Sequence, residues 1–342
     1  MLMLRHAPMA AGWSFRNGRF GILERKACLN IVDTFMVGDA DEVELLLVKL
    51  HLENKFVNAW VIVEHAYNFR QKPKGLFLRR ILDSDPRFAE FLSKIILIEM
   101  KEPFKDISLD YRPAWMLDDE AVMFSREYQQ RQSGFSYIAE NFPEDTWVMV
   151  TDVDESVDFS SDIRAQILIN CLQQIGGNPF NVPRIRHWYD FDNRSNAEFY
   201  VPFQTIKYIK ESGRSLPLLR SRGHSLGLQR EVDLCFEYSF CFGKPAIYQK
   251  LQSFSHTGFD SYIDVAIECN HWLYRPADGD AETYLCSNPT LRLFEKIIPM
   301  RHNSPQYVRE NIDRLRTGNI PVNYRENRRA RYPKLAALYP FQ

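Results

Sequence analysis

Short apolar runs alternate with helical repeats along the first half of the chain. The apolar runs predict four strands, at 29–35, 59–63, 94–99 and 146–150. Asp39 would cap the first helix, whose apolar residues recur at helical spacing at Val43, Leu46, Leu47 and Leu50. A longer helix is predicted over about 118–141. Strands that alternate with helices predict an α/β fold with a mostly parallel central sheet flanked by helices.

Acidic residues stand at the carboxyl ends of three predicted strands. They are Asp33, Glu64 and Asp152. The carboxyl ends of parallel strands meet at one edge of a sheet, where open α/β folds bind their ligands. We therefore expect these three side chains to lie near a ligand site.

The strongest chemical signal is the run Asp152-Val153-Asp154-Glu155, which directly follows an apolar strand. Carboxylates this close repel one another unless a cation compensates them. Alternate residues at a strand end point the same way, so Asp152 and Asp154 are able to share one ligand. Hard carboxylate oxygens select Mg²⁺ or Mn²⁺, which is often shared with phosphate oxygens. The run predicts a metal site that binds a nucleotide-sugar diphosphate.

The same residues fit a second interpretation. The stretch 148–157 approximates the first motif of haloacid dehalogenase phosphatases, with Asp152 as nucleophile and Ser156 in place of the usual Thr. That motif normally begins its domain, whereas here about 150 residues precede it. A third interpretation is a nucleotide-sugar-binding protein without turnover, against which the costly acidic run argues.

Composition excludes several classes of protein. The chain has 342 residues and a formal net charge of −1, which gives no reason to expect nucleic acid as a partner. Its six cysteines are scattered and form no Cys-x-x-Cys pair, as in reducing compartments. Neither a signal peptide nor an apolar segment of membrane-spanning length is evident, so we expect a cytoplasmic protein. Residues 291–342 are predicted to be an Arg-rich helical tail that could make peripheral contact with anionic surfaces.

Five ordered stretches resemble glycosyltransferase family 17, the β-1,4-mannosyl-glycoprotein β-1,4-N-acetylglucosaminyltransferase group. The stretches are Asp33-Thr34-Phe35 with residues 41–50, Val61-Ile62-Val63-Glu64 with residues 68–74, Glu127 with Gln130-Arg131, residues 151–155, and residues 250–256. The last reads Lys-Leu-Gln-Ser-Phe-Ser-His, close to the family's Lys-Leu-x-Ser-Phe-Ser-His. One departure concerns Glu237, which stands where the family often has His. It puts the acceptor in doubt.

The resemblance implies a GT-A type fold and inverting transfer of N-acetylglucosamine from UDP-N-acetylglucosamine to a glycan or glycoconjugate acceptor. The catalytic domain would span residues 28–290, with a donor half to about 160 and an acceptor half from about 161. Residues 1–27 would be an N-terminal lead-in.

Site roles follow from these patterns and the resemblance together. The metal ligands would be Asp152, Asp154 and His256. Contacts to the UDP-sugar are expected from Asp33, Thr34, Glu64, Lys74, Arg131 and Asp152. Four of these have structural alternatives: Asp33 and Glu64 as helix caps, Lys74 as a loop charge, and Arg131 as an ion-pair partner of Glu127. Inversion needs a general base for the acceptor hydroxyl, and the candidates are Glu237 and Asp233.

Overall fold

Eight strands form one mixed sheet in the computed structural model. The structure describes residues 29–105, 107, 118–188, 199–213, 234–239, 241, 250, 253, 305–311 and 315. The strands are β1 Ile31–Val37, β2 Ala59–His65, β3 Ile95–Met100, β4 Trp147–Val150, β5 Glu155–Val157, β6 Phe180–Trp188, β7 Phe199–Thr205 and β8 Cys235–Ser239. Their order across the sheet is β3-β2-β1-β4-β7-β6-β8-β5. The four predicted strands are confirmed, with shifts of one or two residues at their ends.

Helices flank the sheet. They are α1 Val43–Glu53, α2 Leu78–Ser84, α3 Asp118–Asn141, α4 Asp162–Gln174, α5 Ile206–Ser212 and α6 Gln306–Glu310. The two helices predicted from sequence are confirmed as α1 and α3. Asp39 caps the 3-10 turn that leads into α1, its Oδ1 accepting from the backbone N–H of Asp41 at 3.1 Å. These helices and the predominantly parallel sheet confirm the α/β class.

The first half of the sheet is parallel throughout. β1 lies between β2 and β4, and β2 pairs with β3, all in parallel. From β7 onwards the directions mix: β7 runs antiparallel to β4 and β6, β6 and β8 are parallel, and β5 is antiparallel to β8. The carboxyl ends of β1, β2, β3 and β4 therefore share one edge.

The sheet is curled, as the connection between β4 and β5 shows. These strands are close in sequence but lie four positions apart in the strand order. Four strand spacings of about 4.8 Å would separate them by about 19 Å in a flat sheet. The chain from Val150 to Glu155 reaches at most about 18 Å when fully extended, and here it contains a turn. The curl brings β5 back towards β4, and the acidic run bridges the gap.

The two faces of the sheet bury separate cores. Ile31 and Phe35 of β1 pack with α1, α2 and α4 on one face, while Val32 packs with α3 and α5 on the other. This alternation is the two-residue period of a strand. Helix α3 approaches β1 closely at Gly134, where a Cβ would lie 2.5 Å from Oγ1 of Thr34.

Several predicted segments lie outside the described residues. The lead-in 1–27 is one of them, and most of the predicted tail is another. Within the tail, Tyr307 of α6 stacks on His51 of α1 with ring centroids 4.0 Å apart. None of the described helices is long and apolar enough to cross a membrane.

Candidate functional site

The acidic run forms the turn between β4 and β5. The backbone N–H of Glu155 donates to the carbonyl of Asp152, and the N–H of Asp152 donates to Oε2 of Glu155, both at 3.0 Å. Glu155 thus caps its own turn. Asp152 is the most accessible of the three, with 35% of its side chain exposed, against 9% for Asp154 and 3% for Glu155.

A single guanidinium links α3 to this turn. Nη2 of Arg131 lies 2.5 Å from Oδ1 of Asp152 and 2.9 Å from Oε1 of Glu127. Its Nη1 donates to the carbonyl of Thr151 at 3.0 Å. The predicted pairing with Glu127 is confirmed, and the same planar group also fixes Asp152.

Lys250 brings a second cation to the turn. Its Nζ lies 3.3 Å from Oδ2 of Asp154 and 3.1 Å from Oε1 of Glu42. Burial raises the pKa of Asp154 to about 6; Lys250 opposes this effect, while Glu237 adds to it. Burial would lower the pKa of Lys250, but the two carboxylates raise it above its usual value.

A third set of charges lies on the paired strands β5, β6 and β8. Glu155 and Glu237 face each other across β5 and β8, and Arg184 of β6 forms ion pairs with both. Arg186 Nε donates to Oε2 of Glu237 at 2.7 Å, and Ser239 Oγ donates to Oε1 at 2.5 Å. Burial would raise the pKa of Glu237, but the two guanidinium groups lower it below its usual value.

This setting bears on Glu237 as a general base. A base needs a carboxylate that gains a proton readily near neutral pH, and a low pKa weakens it. The role of Glu237 stays a prediction, against which its two arginine partners count. Asp233, the other candidate, lies outside the described residues.

Asp33 is held in the interior. Its Oδ2 lies 2.5 Å from Nζ of Lys49, and Oγ1 of Thr151 donates to both of its carboxylate oxygens at 2.8 and 3.0 Å. No part of the Asp33 side chain is exposed, and burial raises its pKa despite Lys49. These contacts give Asp33 a structural role, and its predicted contact with the nucleoside stays a prediction.

Glu64 and Thr34 are also buried. The carboxylate of Glu64 accepts from the backbone N–H groups of Phe77 at 2.6 Å and Leu78 at 3.1 Å, which begin α2. The capping alternative for Glu64 is thereby confirmed. Glu64 lies within β2 rather than after it, so its side chain has no exposed surface. Thr34 packs under Gly134 of α3.

Lys74 and His65 place two buried donors at the end of β2. Nζ of Lys74 and Nε2 of His65 have no hydrogen-bond partner among the residues that the structure describes. Lys74 is held by a hairpin in which its N–H donates to the carbonyl of Ala66 at 2.8 Å, and its Nζ lies 4.9 Å from the centroid of the Phe77 ring. Burial lowers the pKa of Lys74, and burial lowers that of His65 to about 4. Lys74 therefore remains a candidate for binding an anionic ligand.

The donor set suits a hard cation in part. Among the described residues no group of three or more His, Cys, Asp or Glu side chains could hold a metal ion. Mg²⁺, however, typically binds through one or two carboxylates with substrate phosphates and water. Asp152 and Asp154, the two carboxylates predicted for this role, lie in one turn. His256, the third predicted ligand, lies outside the described residues.

Three residues of this edge were missed at the sequence level: Lys49, Glu42 and Lys250. Lys49 had a signal, because it is a single lysine within a run of buried apolar residues from Leu45 to Leu50. Glu42 and Lys250 belong to stretches that carry the family resemblance, but only the fold shows that they meet Asp154.

Comparisons with known proteins give little further information. No family model matches the chain, and no match was found among curated proteins. Among solved structures, mannose-6-phosphate isomerase from Helicobacter pylori is similar over 70% of this chain and 81% of its own, at 10% identity and a TM-score of 0.27. A likeness this weak carries no argument about fold or function.

Proposed function

We propose that this protein is a metal-dependent glycosyltransferase of GT-A type. It transfers a sugar, N-acetylglucosamine by resemblance, from a UDP-sugar to a glycan or glycoconjugate acceptor with inversion. The observation that carries the proposal is the convergence at the turn 152–155. Arg131 and Lys250 come from stretches far apart in sequence, and each pairs with one of its two aspartates.

The turn lies where a diphosphate would bind in such an enzyme. It follows β4 at the shared carboxyl edge of the parallel strands, which is the usual ligand edge of α/β sheets. Asp152 is partly exposed and Asp154 is close beside it. Both are suited to hold Mg²⁺ or Mn²⁺, which when bound would neutralise charge on the departing UDP.

The chain's own residues have distinct roles in this proposal. Arg131 orients Asp152 through its fork. Lys250 keeps Asp154 compensated when no other cation is near, because it lies between Asp154 and Glu42. Lys74, whose Nζ has no hydrogen-bond partner among the described residues, contributes a positive charge near the same edge. Proton removal from the acceptor falls to Glu237 or Asp233.

Calorimetric titration of UDP, with and without Mn²⁺, tests the proposal. We expect UDP to bind more tightly when Mn²⁺ is present. An equal affinity for UDP with and without Mn²⁺ would contradict the proposed site. A panel of UDP-sugars, each assayed for release of UDP, then separates an enzyme from a binding protein. Release of phosphate from a phosphomonoester instead would support the phosphatase interpretation of Asp152.

A further inference from the structure

Lys49 lies at the centre of a buried polar cluster beneath the acidic turn. Its Nζ lies 2.5 Å from Oδ2 of Asp33 and 3.0 Å from Oε1 of Glu53. It also donates to Oγ1 of Thr151 at 2.9 Å and to the carbonyl oxygen of Glu155 at 2.6 Å. An ammonium has three hydrogens and here meets four acceptors, so all its hydrogen-bonding capacity is used.

Two of these contacts fall on opposite ends of the turn. Thr151 directly precedes Asp152, and Glu155 directly follows Asp154. A single ammonium therefore spans the segment that carries both aspartates. One helical turn further along α1, Oε1 of Glu53 accepts from the backbone N–H of Val157 at 3.1 Å.

Glu53 is itself fixed from the other side. Its Oε2 accepts from Nε1 of Trp60 at 3.0 Å, and Trp60 lies in the buried strand β2. Lys49 and Glu53, four residues apart on α1, thus connect the 151–157 segment to the rigid parallel half of the sheet.

The alternative is that apolar packing alone holds the segment. Val153 and Val157 are buried in the core and fix how deeply the segment lies. Apolar contacts are not directional, however, and do not fix the orientation of a turn between them. Hydrogen bonds to a backbone carbonyl and to a side-chain hydroxyl do so, because they require defined geometry.

We propose that Lys49, supported by Glu53, is a positioning residue that fixes the turn 152–155 in the geometry needed to present Asp152 and Asp154. Its part in catalysis rests on the proposed function. Its effect on the order of the turn does not, and the two are measured separately.

Backbone hydrogen exchange measures the order of the turn directly. In Lys49→Met, we expect exchange at the amides of Asp152, Glu155 and Val157 to accelerate at least ten-fold (about 1.4 kcal/mol), because all three donate within this network. Amides of β2 that pair with β1 should keep their protection. The matched control is Lys94→Met, since Lys94 also binds backbone carbonyls, those of Asn54 and Val57, but lies away from the turn.

A second variant allows for global destabilisation. Lys49→Met leaves the buried Asp33 without its closest counter-ion, whereas Asp33→Asn with Lys49→Met removes both charges together. The double variant should recover much of the stability and still show fast exchange in the turn. Normal exchange in the turn, or equal loss of protection throughout the molecule in the double variant, would overturn the proposal.

UDP titration with Mn²⁺ then addresses catalysis. The double variant should bind UDP at least ten-fold more weakly than Asp33→Asn alone. If the wild-type protein itself shows no metal-dependent binding, the proposed function fails. The exchange result still decides whether Lys49 orders the turn.

Discussion

The guanidinium of Arg131 lies 2.5 Å from the carboxylate of Asp152, and this ion pair joins the long helix α3 to the acidic turn. Arg131 is almost fully buried, while Asp152 keeps about a third of its side chain exposed. A buried cation thus orients a carboxylate that still faces outwards.

The first prediction concerns the planar guanidinium of Arg131. Arg131→Lys keeps the charge but cannot contact Glu127, Thr151 and Asp152 together. We expect UDP binding in the presence of Mn²⁺ to weaken by roughly 1–3 kcal/mol, the range for charged hydrogen bonds. Arg126→Lys is the control, because Arg126 lies on the same helix and donates to the carbonyl of Phe69. Equal effects of the two substitutions, measured by calorimetry, would count against a role for Arg131 at the site.

Asp154 offers the most direct test of the metal. Asp154→Asn should abolish the Mn²⁺ dependence of UDP binding and leave the fold intact, since Lys250 keeps Glu42 as its counter-ion. Asp162→Asn is a matched control, because Asp162 is well exposed at the start of α4. Calorimetry reports binding and circular dichroism reports folding. Wild-type metal dependence in Asp154→Asn would refute the assignment.

Glu64 should behave as a helix cap. Glu64→Ala removes the acceptor for two N–H groups at the start of α2. We expect a loss of stability of roughly 0.5–2 kcal/mol, as for other capping residues. Chemical denaturation measures this loss. A fall in UDP affinity at unchanged stability would instead support the nucleoside contact predicted from sequence.

The buried carboxyl group of Glu53 is expected to make the free energy of unfolding depend on pH. Burial raises its pKa from 4.5 to about 8. Between about pH 4.5 and pH 8, the folded protein therefore keeps the Glu53 proton that the unfolded chain has released. The stabilisation that Glu53 contributes is full below about pH 4.5 and is lost as the pH rises towards 8. Burial also raises the pKa of Asp33, which acts in the same direction. Urea unfolding at about pH 5 and pH 8 should show a larger decline for wild type than for Glu53→Gln, and equal declines would contradict this prediction.

The role of Glu237 is open to a decisive substitution. Glu237→Gln leaves the buried Arg184 and the partly buried Arg186 with one fewer carboxylate, and breaking a buried pair costs about 3 kcal/mol. We expect lower stability as the main effect, seen in thermal unfolding. If Glu237 is also the base, turnover of the folded variant on the acceptor falls roughly 10²–10⁴-fold at normal donor binding. Asp233 would then no longer be needed as a candidate.

Local pattern was enough to predict the parallel half of the fold. The apolar residues of strands β1 to β4 and of helices α1 and α3 follow a clear pattern in the sequence. The structure contains all six of these elements. The acidic turn was also evident, because it follows an apolar strand. β6, β7 and β8 were not predicted, since this part of the sequence is interrupted by Pro, Gly and aromatic residues that blur any period.

Contacts between distant residues could not be predicted. Asp33 was expected to face a ligand, but Lys49 lies 16 residues away and no periodicity reveals that the two meet in the interior. Likewise, Glu155 lies opposite Glu237 because β5 is the last strand in the sheet order and pairs with β8. Such pairings follow from strand order, which local pattern does not specify.

The position of β5 has a consequence for how the chain assembles as it is synthesised. Its strand partner, β8, comes about 80 residues later, although the β4–β5 turn is made early. The parallel half of the sheet can form from strands that have already been synthesised. β5, in contrast, cannot pair with β8 until residues 235–239 have been synthesised. Lys49 and Arg131 can therefore contact the acidic turn early, whereas its contact with Lys250 and the pairing of β5 are completed only late in synthesis.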